Sequence, residues 1–146
     1  MAARLNDIEA TLKALLASEL GYNVDPDEEL SVFELPDASY PCCVIQYGDE
    51  EEEPDEEVPA GYFQADIELI LNVLLPSTQS TLRFDTNEER AKLKRFVARN
   101  CQFAEGVVEL YLKGSALGRT GRDTPPVGGL AVRLGLRYRE PRDRSL

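Results

Sequence analysis

Three groups of residues in this 146-residue chain have types and spacings that could do chemistry: an acidic run, a glycine- and arginine-rich segment, and two adjacent cysteines. The acidic run, "DEEEEPDEE" from Asp49 to Glu57, places eight carboxylates in nine residues. Hard oxygen ligands of this kind suit calcium or magnesium. The order D-x-[DN]-x-[DN]-G that wraps an ion is absent, so a dedicated metal site is not expected. What remains is a solvated loop held extended by its own repulsion, with loose cation association as the alternative. Paired carboxylates also hydrolyse glycosides, but Pro54 and Pro59 put these in a loop away from any aromatic platform.

The second group, "GSALGRTGRDTPPVGG" from Gly114 to Gly129, combines five glycines with Arg119 and Arg122 and could suggest a phosphate cradle. It contains no G-x-x-x-x-G-K-[ST], and G-x-G-x-x-G has no strand-to-helix context here. The expectation is a long, flexible loop, either plain or a basic arm that orders against an acidic partner. Cys42 and Cys43, with Cys101, make an odd count without C-x-x-C spacing, and the chain has no histidine. Zinc sites and thiol catalysis are therefore not expected, and the cysteines read as reduced and packed. Without histidine the commonest general base is missing, and so are Ser-His and Cys-His nucleophile systems. The chain reads as a non-enzyme with no cofactor.

The composition, 42% hydrophobic and 29% charged, is that of a globular domain, and one domain over residues 1–146 is expected. No apolar run approaches the roughly 18 residues of a membrane span. The opening "MAARLNDIEATLK" reaches acids at once and has no apolar signal-peptide core, so the protein is expected to be made and kept in the cytosol. The net charge of −11 argues against a surface that grips nucleic acid phosphates. The eight acids of the run account for all but three of those charges. Near the other end Arg133, Arg137, Arg139, Arg142 and Arg144 face only Glu140 and Asp143. A chain so polarised can dock head to tail on copies of itself.

The elements that position these groups follow from periodicity. Leu5, Ile8, Leu12, Leu15 and Leu16 recur at helical spacing and predict an amphipathic helix ending near Gly21. Prolines break the next stretch and leave Ser31 to Leu35 as at most a short strand, while Cys42 to Tyr47 reads as a buried strand. From Phe63 to Leu75 every second residue is apolar, with Gln64, Asp66, Glu68 and Asn72 between. This alternation predicts one strand longer than a small domain requires. Flexible loops are expected near 48–61 and 114–129. Thr86 and Glu89 have capping-box spacing ahead of a helix over 87–100. Gly106 to Leu112 and Leu130 to Arg139 read as the last strands. The order predicts an α+β fold, a mainly antiparallel sheet with two α-helices packed on one face. Asp66 and Glu68 on the long strand complement Arg133, Arg137 and Arg139 on the last one, as cross-strand partners or as a charged face pressed against another subunit.

Taken together, the "LNDIEATLKALLASEL" helix, the "YPCCVIQYGDEEEE" strand and acidic loop, the "GYFQADIELILNVLL" strand, the second helix and the closing "GGLAVRLGLRYRE" strand resemble the small tail terminator (tail completion) proteins of tailed bacteriophages and phage-like particles. The resemblance spans nearly the whole chain and rests on architecture and style of sequence. It implies a tail-terminator-like α+β subunit of the virion, assembled in the host cytoplasm. Such a subunit forms a homo-oligomeric ring, a homohexamer in the family, at the neck of the particle. The ring caps the tail tube, ends its polymerisation and joins the tail to the head connector. Its partners would be copies of itself, the major tail tube protein and the head-tail connector protein, with DNA passing through the lumen without specific binding and with no membrane contact. Carried onto this chain, subunit contacts fall on Asp66, Glu68, Arg133 and Arg137, and tube or connector contacts on Glu51, Glu52, Glu53, Arg119 and Arg122. The alternatives are a head-tail connector or head-completion ring protein, and an acidic cation-binding adaptor.

Overall fold

The computed structural model describes residues 4–25, 41–54, 58–76, 81–123 and 126–142. In chain order the elements are α1 (Arg4–Leu20), β1 (Asn23–Val24), β2 (Cys42–Glu52), β3 (Tyr62–Pro76), α2 (Leu82–Arg99), β4 (Val107–Asp123) and β5 (Pro126–Pro141). The five strands form one sheet in the order β1-β2-β3-β5-β4, with β1 parallel to β2 and every other pair antiparallel. The fold is α+β, as the order of elements predicts.

Alternation in β3 sets the layers. Ile67, Leu69, Leu71 and Val73 lie opposite Leu136, Leu134, Val132 and Leu130 of β5, so the apolar positions of both strands share one face. Ile8, Leu12 and Leu16 of α1 and Leu93, Phe96 and Val97 of α2 join them in a single buried cluster. Both helices therefore cover the same side of the sheet. Each fully buried Leu, Ile or Phe in that cluster contributes roughly 1.5 to 3 kcal/mol. The chain leaves α1 through Gly21, whose φ of 71° lies in the left-handed region that a glycine enters without steric cost.

The second face carries Gln64, Asp66 and Glu68 of β3 beside Arg139, Arg137 and Gly135 of β5. It is not uniform. Cys42 and Leu74 lie opposite each other on this face and are both buried, whereas the end bearing Asp66 and Arg137 is only partly covered.

Several local expectations are corrected. Residues 114–129 do not form a loop: β4 runs to Asp123, β5 starts at Pro126, and the two pair from Val107–Tyr138 to Asp123–Pro126. Strand β2 continues to Glu52, so Asp49, Glu50, Glu51 and Glu52, four of the eight acids, belong to a strand. Asp55 to Glu57 and the stretch Ser31 to Leu35 lie outside the described residues. The second helix starts at Leu82 with Thr81 as N-cap, so Thr86 is an interior residue and the capping box does not form. Thr86 is buried because its hydroxyl donates to the Leu82 and Arg83 carbonyls one turn back.

Candidate functional site

The open end of the second face is built from three strands and the residue after a fourth. Register places Asp66 of β3 and Glu109 of β4 on either side of Arg137 of β5. The Arg137 guanidinium meets three carboxylates: Asp66 Oδ2 at 3.4 Å, Glu53 Oε1 at 3.5 Å and Glu109 Oε2 at 3.7 Å. Tyr111 donates its hydroxyl to the same Asp66 oxygen at 2.6 Å. That bond to a carboxylate, then burial, pushes the Tyr111 phenol up to about 12. At neutral pH the phenol keeps its proton and acts as a donor; general-base work is closed to it. Among the described residues the buried Asp66 Oδ1 has no hydrogen-bond partner, so the contacts seen for this carboxylate are those of Oδ2.

Glu68 finds a different cation from the expected arginines. It pairs with Lys113 of β4 at 3.4 Å and lies over Gly48 of β2, where a Cβ would come within 2.9 Å of the Glu68 Cβ. The glycine lets the acidic side chain cross the neighbouring strand. Arg139 donates to Gln64 at 2.8 Å. Arg133 is exposed, and its guanidinium passes over Gly114. Of the four residues expected to make subunit contacts, Asp66 and Arg137 are therefore paired with each other and Glu68 is paired with Lys113 inside the same sheet.

The residues expected to contact tube or connector separate into two places. Glu51 and Glu52 lie exposed on β2, opposite Asp66 and Ala65, while Glu53 turns to Arg137. Glu50 accepts the Tyr138 hydroxyl, and burial followed by that bond raises the Tyr138 phenol. Arg119 sits in β4 opposite Gly128, and Arg122 follows in the same strand; their side chains lie outside the described ones.

Sequence reasoning missed Glu109, Tyr111 and Lys113. The signal was present: Leu110 and Leu112 face the core, so the residues at 109, 111 and 113 fall together on the other face. Cys42 and Cys43 are buried, and burial, with Asp25 and Cys42 as smaller influences, raises the Cys43 thiol to about 12; Cys101 is exposed. Among the described residues no three His, Cys, Asp or Glu side chains converge as a metal site would require. A groove of about 480 Å³ lies between the start of α1 and Pro141, and Arg4 on its wall is held by Glu105 and the Arg139 carbonyl. On the second face Lys113 holds Glu68, and Arg137 holds Glu53, Asp66 and Glu109, so these carboxylates are fixed in position. No protein-family model matches the chain, and no curated protein is significantly similar to it.

Proposed function

We propose that this chain is a structural subunit of a tailed phage or phage-like particle, a tail terminator that assembles into a homo-oligomeric ring on the finished tail tube. The ring ends tube polymerisation and offers its other side to the head connector, at the neck of the virion. One observation carries this reading. Strands β3, β4 and β5, of 15, 17 and 16 residues, lie side by side, while the helices behind them have 17 and 18 residues. At about 3.3 Å per strand residue the sheet spans about 50 Å, against about 26 Å for either helix at 1.5 Å per residue. A wall of that length exceeds what a small core needs and suits a segment of a larger cylinder.

The charge pattern supports the same reading. On the second face Glu53, Asp66, Glu68 and Glu109 are offset by Lys113 and Arg137 at ion-pair distance. A compensated, slightly acidic wall lets DNA pass without holding its phosphates. Negative-stain microscopy and native mass measurement of the full chain, alone and with tail tubes, test the proposal. Rings of uniform copy number seated on one end of each tube are expected. A protein that stays monomeric across salt and magnesium concentrations and leaves tube ends bare would sink it, and label on the portal side would reassign the ring to head completion.

A further inference from the structure

Among the described residues, β2 beyond β1 on one side of the sheet and β4 on the other each have a stretch of edge that no strand pairs. Strand β1 pairs with Cys42 and Cys43, and Asp25 Oδ1 accepts the Ile45 N–H at 3.0 Å, the last contact to that edge of β2 among the described residues. From Gln46 to Glu52 no described residue pairs with that edge. On the far side Cys101 accepts the Leu110 N–H at 2.8 Å, and beyond Leu110 β4 is the last strand among the described residues. Unpaired edges of this length are templates for another chain.

Strand direction decides which edges can meet. The four long strands β2, β3, β5 and β4 alternate strictly, so β2 and β4 run in opposite directions. Rotation about an axis along the strands preserves direction in every copy, and so brings β4 of one copy antiparallel against β2 of the next. Charge disfavours the pairing of two β2 edges. Edge β2 carries Asp49, Glu50, Glu51 and Glu52, whereas β4 beyond Leu110 carries Lys113, Arg119 and Arg122 against Asp123. Two β2 edges would set four acids against four acids, and like charges directly opposed are destabilising.

We propose that β2 of one copy adds antiparallel to β4 of the next copy, staggered so that the acids of β2 lie beside the part of β4 that follows Leu110. The stagger is required because Glu50 is level, through Ile67 and Leu136, with Leu110, whose edge is already occupied. Closing a sheet into a cylinder needs such a shear in any case. The proposal rests on the ring reading and names the surfaces that close it. It moves the subunit contact from the second face, where Asp66 already pairs with Arg137 and Glu68 with Lys113, to the edges.

The test uses the full chain in a Cys101→Ser background with Glu52→Cys combined in turn with Ser115→Cys and Ala116→Cys, which point to opposite faces of β4. Mild oxidation should give, for one of the two, a reducible covalent ladder ending at the copy number of the ring. Rings by microscopy with no ladder from either pair would overturn the edge contact and leave the ring reading standing. A ladder whose products are open chains would uphold the edge contact and overturn the ring. Neither rings nor ladder would overturn both.

Discussion

Tyr111 of β4 lies directly across from Gly135 of β5 and occupies the space that a side chain at 135 would fill. The absence of a Cβ there lets the ring lie flat on the sheet and aim its hydroxyl at Asp66. Gly135→Ala forces the ring off the strand and breaks that bond; a loss of about 1 to 3 kcal/mol is expected, as for overpacking elsewhere. Tyr111→Phe keeps the ring and removes only the bond, so it should cost less than Gly135→Ala. Urea midpoints of the two variants check the order, and equal losses would show that the hydroxyl carries the whole effect.

Stability should fall on the alkaline side and stay level near neutrality, where no histidine titrates. Burial is the largest cause raising the Cys43 thiol, to about 12, and the Tyr22 phenol, while the Asp66 bond leads at Tyr111, raised to about 12. A raised folded-state value means that the folded chain holds the proton more tightly. The contribution is complete below the unfolded values, about 8.5 for a thiol and 10 for a phenol, and is lost as pH rises towards 12. Each fully buried group then removes up to about 1.4 kcal/mol per pH unit within its window. Denaturant midpoints at pH 7, 9, 10 and 11 should be flat and then drop; a midpoint unchanged to pH 11 would contradict this.

Tyr22 ties the start of the sheet to α2 by donating its hydroxyl to Glu89 Oε2 at 2.6 Å, in a place where Tyr22 is buried. Lys92 holds the other Glu89 oxygen at 3.1 Å. Tyr22→Phe should cost about 1.5 to 3 kcal/mol, the range for a hydrogen bond to a charged acceptor. A cycle with Glu89→Gln isolates the pair, and a coupling near zero would mean that packing of the ring is all that matters.

How far the fold could be read depended on whether a strand's two faces differ. In β3 every second residue from Phe63 to Leu75 is apolar, with Gln64, Asp66, Glu68 and Asn72 between, and the element was predicted within a residue of its ends. In the second half of β4 the residues are glycine, serine, alanine, threonine, arginine and a final aspartate, with Leu117 as the one large apolar residue, so no face shows and composition points to a loop. Only pairing along the whole length of β5 makes that segment a strand. The α2 boundary failed for a related reason: "LRFD" has no apolar spacing, and Phe84 there is 66% exposed. Glu89 had the right spacing for a cap but is engaged by Tyr22, 67 residues away in sequence, a partner no local pattern reveals. At the candidate site the pair Asp66–Arg137 was legible as opposite charges on neighbouring strands, whereas Glu53 was counted among the acids of a loop and proved to face the same arginine.

The acids of the run should not behave alike when neutralised. Glu51 lies directly opposite Asp66, a like-charge cross-strand pair, so Glu51→Gln should raise stability by a few tenths of a kcal/mol. Asp49→Asn and Glu52→Gln, at exposed positions, should stay within about 0.5 kcal/mol of the parent. Glu53→Gln removes a partner of Arg137 and should be the destabilising member of the set. Thermal midpoints of the four single variants decide this; a loss at Glu51 larger than at Glu53 would reverse the assignment of partners.

Arg137 is the charge on which the open face turns, since removing it leaves Glu53, Asp66 and Glu109 facing one another without their shared cation. Its side chain is about a third exposed, so solvent screens the loss, and Arg137→Met should cost about 1 kcal/mol at low salt. The sign of the salt dependence is the sharper readout. In the parent, added salt weakens attraction between Arg137 and the carboxylates; in the variant it weakens their mutual repulsion. At 0.1 M salt the Debye length is about 10 Å and at 1 M about 3 Å, so the gap between parent and variant should narrow as sodium chloride is raised over that range. Arg137→Lys keeps the charge but replaces the planar fork with a single ammonium that cannot serve three acids at once, and it should fall between the two. A gap that is independent of salt would assign the role of Arg137 to the packing of its aliphatic stem instead of its charge.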